Sequence, residues 1–72
     1  MNMQRQWIES SVLASVGYDR GSRVLEVEFK KGGVYRYFGV PTNSVQDLMA
    51  AGSHGSYFSR QIRDRYPSRK VH

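Results

Sequence analysis

The 72-residue sequence predicts an α+β fold: a three-stranded antiparallel meander followed by two helices packed on one face of the sheet, in the order β-β-β-α-α. Three observations predict it. Before Pro41 the apolar residues alternate with period two, and the runs are separated by Gly-containing turns. After Pro41 apolar residues recur at spacings of three and four. A chain of this length buries only about 60% of its unfolded surface, which leaves room for one small core and one domain.

The first strand is expected over residues 11–18, with Val12, Ala14 and Val16 on one face. Asp19-Arg20-Gly21-Ser22 is a turn signal. The second strand, residues 23–30, places Leu25, Val27 and Phe29 on one face and Glu26, Glu28 and Lys30 on the other. A hairpin through that turn sets Val16 opposite Leu25, Ala14 opposite Val27 and Val12 opposite Phe29. The third strand, residues 34–40, is rich in aromatic and β-branched side chains. A three-residue loop of Lys31-Gly32-Gly33 keeps Arg36 off the core face and pairs it with Glu28. Tyr35 and Tyr37 then share the core face with Phe29 and Val27, while Phe38 lies on the opposite face.

Pro41-Thr42-Asn43-Ser44 is a helix start signal, and Val45, Leu48 and Met49 form a narrow apolar stripe that Gly52 ends. Ser53-His54-Gly55-Ser56 is a connector and a second start signal. The second helix is expected over residues 57–66, with Phe58, Ile62 and Tyr66 on one face, and Pro67 stops it. Residues 1–10 and 67–72 read as frayed ends. The chain is thus expected to form a single domain, 1–72, with a core at about 10–67 and a flexible basic tail at 68–72.

Composition narrows the function classes. The chain has no cysteine, hence no disulfide framework and no thiolate metal site. Its two histidines, His54 and His72, lack metal-ligand spacing, its six acids are scattered, and no nucleophile-elbow motif occurs. A non-enzymatic protein without cofactor or metal is expected. No apolar run approaches the roughly 20 residues of a membrane span, and no signal-peptide pattern is present, so a cytoplasmic location away from membranes is expected.

Charge gives the strongest functional signal. Eleven Lys and Arg face six Asp and Glu, for a net charge of +5. Arg60, Arg63, Arg65, Arg69 and Lys70 stand against the single acid Asp64 in residues 60–72, which places +4 of the +5 there. Arginine suits phosphate because its planar fork donates two hydrogen bonds at once. The alternative is a solvated helix face with a solubilising tail. Gly55 and Ser56 at a helix start could add free backbone N–H groups for a phosphate, or simply form a capped turn. Tyr35, Tyr37 and Tyr57 are candidate base-stacking rings, with core packing as the competing role for the first two.

Taken together, Ser11, Val12 and Tyr18, the Tyr35-Arg36-Tyr37 motif, Val40-Pro41, Gly55-Ser56-Tyr57-Phe58, Ile62 and Tyr66-Pro67 resemble the KTSC domain, named for a domain at the C-terminus of some lysyl-tRNA synthetases. The resemblance spans about residues 10–67, with Ser59 standing where a polar amide is expected. It implies a small domain without established chemistry, found also as free-standing bacterial and phage proteins, and its synthetase association points to RNA. Three functions are therefore carried forward: a module for an anionic partner, RNA favoured among nucleic acids; a nucleotide-binding or nucleotide-sequestering protein with its site shared in a homo-oligomer; and a protein-interaction module using Trp7, Ile8 and Phe38.

Overall fold

The computed structural model describes residues 5–72. Five strands form one antiparallel sheet in sequential order: β1 (Arg5–Trp7), β2 (Leu13–Asp19), β3 (Val24–Phe29), β4 (Val34–Phe38) and β5 (Ser68–Lys70). Two helices, α1 (Thr42–Ala50) and α2 (His54–Gln61), lie between β4 and β5 in the chain. The α+β class stands, but the sheet has five strands where three were expected. Both additions are three-residue edge strands with every residue exposed. Segments that short carry no alternation to read, so their pairing is a product of the sheet beside them.

β5 corrects the expectation of a flexible tail at 68–72. Tyr35, Arg36 and Tyr37 pair with Lys70, Arg69 and Ser68. The pairing continues past the strand: Phe38 N donates to the Pro67 carbonyl at 2.9 Å, and Val34 N donates to the His72 carbonyl at 3.1 Å. Pro67, which lacks an N–H, thus turns the chain back onto the sheet and still contributes its carbonyl. At the other edge, Arg5, Gln6 and Trp7 pair with Gly17, Val16 and Ser15. Ile8 packs against the core, so the frayed end expected for 1–10 holds for none of residues 5–8; residues 1–4 lie outside the described residues.

Both hairpins have a register shifted by two, and the expected faces hold except at the start of β2, where Leu13 in place of Val12 faces Phe29 and is buried, leaving Val12 exposed. Val16 faces Val27 and Tyr18 faces Leu25, with a bulge between Leu13 and Ser15. The loop is residues 20–23, because Asp19 closes the strand and its carboxylate accepts the Ser22 N–H at 3.1 Å. Arg23 takes the left-handed position, at φ 57°. In the second hairpin Phe29 N donates to the Gly33 carbonyl at 3.1 Å, so the three-residue loop is Lys30-Lys31-Gly32, one residue earlier than expected. Gly32 and Gly33 both have positive φ. Arg36 consequently pairs with Glu26 instead of Glu28.

The core lies between the sheet and the helices. Leu13, Val16, Leu25, Val27 and Tyr37 of the sheet meet Val45 and Leu48 of α1 and Phe58 and Ile62 from α2 and its end. The second helix is 54–61, displaced from the expected 57–66. Ser53 caps it early, accepting the Ser56 N–H at 3.3 Å, and at Ile62 the backbone leaves helical geometry at φ −123°, ψ −50°. Arg63 N then reaches back to the Phe58 carbonyl at 2.9 Å. Phe58 and Ile62 are buried as expected, and Tyr66 still packs on the core from the turn that follows.

The face away from the helices is built around Glu26, which is only 8% exposed. Its carboxylate accepts from Arg36 at 2.9 Å and lies 3.3 Å from Arg5. Glu28 on the same face accepts from the Ser15 hydroxyl at 2.9 Å. Because both arginines are about one-third exposed, solvent screens the ion pairs, and the larger cost falls on whichever change leaves the carboxylate or its partners unmatched.

Two stability measurements follow. Deleting residues 68–72 should lower the melting temperature substantially, since it strips the ladder from β4; an unchanged melting temperature would mean that the segment is a free tail. Glu26→Ala should cost roughly 1–3 kcal/mol in urea denaturation by leaving Arg5 and Arg36 without their counter-charge, whereas Glu28→Ala, removing one partly buried hydrogen bond, should cost about 1 kcal/mol.

Candidate functional site

α2 meets the sheet through one aromatic side chain. The Phe58 ring is 2% exposed and stands edge-on to both Phe29 (centroids 5.6 Å apart, 67°) and Tyr37 (5.3 Å, 84°). Phe29 in turn stands edge-on to Tyr35, 5.5 Å away at 79°. These four rings fix the height of α2 over β3 and β4. Gly55 brings the start of the same helix close to the segment before β2. A Cβ built there would lie 3.3 Å from Val12 Cβ and Cγ2, so the approach uses the missing side chain.

Between the end of α2, the β3–β4 hairpin and residues 11–12 lies a cleft of about 500 Å³. Val12, Phe29 and Phe58 form its apolar wall, together with the rings of Tyr35 and Tyr37. Ser11 and Ser59 bring hydroxyls, and Lys31 and Arg63 bring positive charge. Lys70 stands opposite Tyr35 on β5 and so shares its face of the sheet. The Tyr37 phenol is held above its ordinary range first by burial, with Arg63 acting against that rise. Arg63 is therefore within electrostatic reach of the phenol. An apolar, aromatic wall with cations and rotatable hydroxyls around it can accept a flat ring carrying anionic groups.

The residues expected from the sequence separate. Tyr35, Tyr37 and Arg63 line the cleft. Lys70 lies beside it, and Arg69, paired with Arg36, projects from the opposite face. Arg60 and Arg65 are exposed on α2 and the turn after it, where Arg60 Nε donates to the Ser56 carbonyl at 3.3 Å and Arg65 Nε to the Arg60 carbonyl at 3.4 Å. Gly55 is buried, and the Ser56 N–H is taken by Ser53. Tyr57 turns toward α1: its phenol is pushed up by burial, then by Asp47, with the Ser44 side chain acting against the rise. His54, by the same helix start, donates from Nδ1 to the Leu48 carbonyl at 2.8 Å. Among the described residues, no group of three or more His, Cys, Asp or Glu is gathered as a metal would require.

Lys31, Ser59, Ser11, Val12 and Phe29 join the cleft without having been singled out as site residues. Lys31 carried a readable signal. It sits in a Lys-Lys-Gly-Gly hairpin tip next to the aromatic strand, where positive charge and ring must be neighbours. Ser59 carried another, as the position departing from the family pattern on the helix that crosses the tyrosines.

The sheet, its two helices and this cleft define a small α+β domain with a cation-rimmed aromatic cleft on its helix side. The model of the KTSC domain matches residues 9–66, and the chain belongs to that family. It superimposes on the crystal structure of a KTSC domain protein from Yersinia pestis with a TM-score of 0.96 and 41% sequence identity, covering 99% of this chain and 100% of that one. It is 42% identical over 64 residues to an uncharacterised protein of Stutzerimonas stutzeri, covering 89% of this chain and 90% of the relative. A lysine–tRNA ligase of Nostoc punctiforme is 36% identical over 58 residues, which is 81% of this chain but 10% of the ligase.

The influence of Arg63 on Tyr37 can be read spectroscopically. In an alkaline titration followed by phenolate absorbance, Tyr37→Phe should remove a component that ionises above the ordinary tyrosine value of about 10. Arg63→Ala should move that component higher, because the charge that favours phenolate is gone. The raised folded pKa gives stability that is complete below the unfolded value and is lost as pH rises through the folded one. Tyr37→Phe should correspondingly lessen the loss of stability at alkaline pH.

Proposed function

We propose that this protein is a non-catalytic binding module for an anionic partner, with RNA as that partner, and that the cleft between α2 and the β3–β4 hairpin is its contact site. The observation that carries the reading is the convergence in one cleft of Tyr35, Tyr37, Arg63 and Lys31. Phosphate contacts supply affinity without sequence readout, and an aromatic side chain supplies a stacking surface that tolerates any base. RNA is favoured over DNA by the similarity of 81% of the chain to a tenth of a lysine–tRNA ligase. Exposed Arg60 and Arg65 would extend the positive surface beyond the cleft. A free nucleotide is the second reading, supported by a cleft volume within the range of small-molecule sites.

Binding of a mixed-sequence single-stranded RNA, followed by fluorescence anisotropy, should weaken steeply as salt rises. Arg63→Ala should weaken it at low salt by about 1–3 kcal/mol as a lost charge-assisted contact, with unchanged melting temperature. Tyr35→Leu, which keeps an apolar side chain on the core face, should cost about 1–3 kcal/mol if the ring stacks on a base. Failure of the wild-type protein to bind RNA at low salt would end the RNA reading.

A further inference from the structure

The cations of the cleft are not at one place. Lys31 is in the hairpin tip, beyond the Phe29–Gly33 pair. Lys70 is at the same end: a Cβ built on Gly33 would lie 3.6 Å from Lys70 Cε and 3.4 Å from Tyr35 Cε1. Arg63 follows the end of α2, its N–H on the carbonyl of Phe58, whose ring stands 5.3 Å from that of Tyr37, and Arg63 and Tyr37 line the cleft together. From Gly33 to Tyr37 is four residues along β4, about 13 Å of strand. The half-buried Tyr35 ring lies between these two levels. A single phosphate, or two phosphates joined directly, meets one end or the other; a nucleotide with a phosphate on each side of its sugar presents charge toward both, with the long lysine and arginine side chains covering the rest of the span.

We propose, resting on the RNA reading above, that the cleft is a subsite for one unpaired base of an RNA strand, with its two flanking phosphates divided between Arg63 at the α2 end and Lys31 with Lys70 at the hairpin tip. The base packs against the Tyr35 side of the aromatic wall. Ser11 and Ser59 offer it hydroxyls that both donate and accept, and these rotate to suit whichever base edge is present. The subsite therefore selects internal phosphodiester-linked nucleotides over free nucleotides and has little base preference. Exclusion of free mononucleotides and diphosphates follows from the separation of the charges, since neither can reach both ends while its base occupies the wall.

The test uses the intact protein and four uridine probes in isothermal titration at low salt: uridine 5′-monophosphate, uridine 5′-diphosphate, uridine 3′,5′-bisphosphate and a uridine hexanucleotide. The bisphosphate and the diphosphate carry the same number of phosphates and differ in where they sit. The bisphosphate should bind about tenfold or more tightly than either the monophosphate or the diphosphate. Its affinity should weaken as salt rises, and less steeply once the cations of either end are removed. Lys31→Ala combined with Lys70→Ala should bring the bisphosphate to the level of the monophosphate, with the far-UV circular dichroism of the variant confirming its fold.

A diphosphate that equals or exceeds the bisphosphate would overturn the divided-phosphate subsite while leaving the cleft an anion site. So would a bisphosphate preference that survives in the double lysine variant. A hexanucleotide that fails to bind at all would overturn the RNA reading itself and this subsite with it.

Discussion

The burial of Phe58 against β3 and β4 is the contact on which the rest of the molecule depends. A 72-residue chain has few large apolar side chains to spend on joining a helix to a sheet, and here one ring meets two others edge-on while the helix start closes on Val12 through a bare glycine. Ile62, fully buried, continues the same seam at the point where the helix unwinds. That unwinding matters for the site. If the helix ran on to Tyr66, Arg63 would follow the regular helical rotation; the turn through Ile62 instead delivers it to the mouth of the cleft beside Tyr37. The same packing thus holds the core together and positions the cation that faces the aromatic wall.

The parts legible in the sequence are those where periodicity and burial agree. The two-residue period from Leu25 to Phe29 correctly assigned every side chain of the central strand to its face, because a strand flanked on both sides and covered on one must alternate. The same argument put Tyr35 and Tyr37 on the core face and Phe38 outside. Register was less accessible. Asp19 and Gly33 both look like turn residues by type, yet Asp19 ends a strand while its carboxylate closes the turn, and Gly33 stays in the ladder opposite Phe29. Each moves its loop by one residue and its pairing by two, which keeps the faces of β3 and β4 and exchanges Glu28 for Glu26 as the partner of Arg36, while the bulge before Ser15 sends Leu13 in place of Val12 into the core. The edge strands were invisible for a different reason: their residues are all exposed, so no hydrophobic pattern marks them, and they exist because β2 and β4 offer free backbone groups.

The candidate site shows the same division. A count of charge along the chain correctly found the basic C-terminal region but treated Arg60, Arg63, Arg65, Arg69 and Lys70 as one surface. Pairing in β5 sends Lys70 and Arg69 to opposite faces, since neighbours on a strand must diverge. Linear clustering of charge is a statement about sequence, whereas a binding surface depends on which side of each element the charge leaves. Lys31, 39 residues before Lys70, reaches the same end of the cleft because the hairpin tip and the final strand are neighbours through β4.

Glu26 gives this charge distribution a direction. On the face away from the helices, the rows through Glu26 and Glu28 hold three arginines, Arg5, Arg36 and Arg69, against those two glutamates. One net positive charge remains there, which leaves four of the chain's five for the loops and the helix side. Two of the three arginines are also committed to Glu26 at short range. A buried ion cluster of this kind does little for stability relative to an apolar replacement of all its members together, because the cost of removing charge from water offsets most of the attraction. Its effect on the field is less easily replaced. By matching Arg5 and Arg36, Glu26 leaves most of the unmatched positive charge off that face, in the loops and on the helix side, where Lys31 and Arg63 line the aromatic cleft.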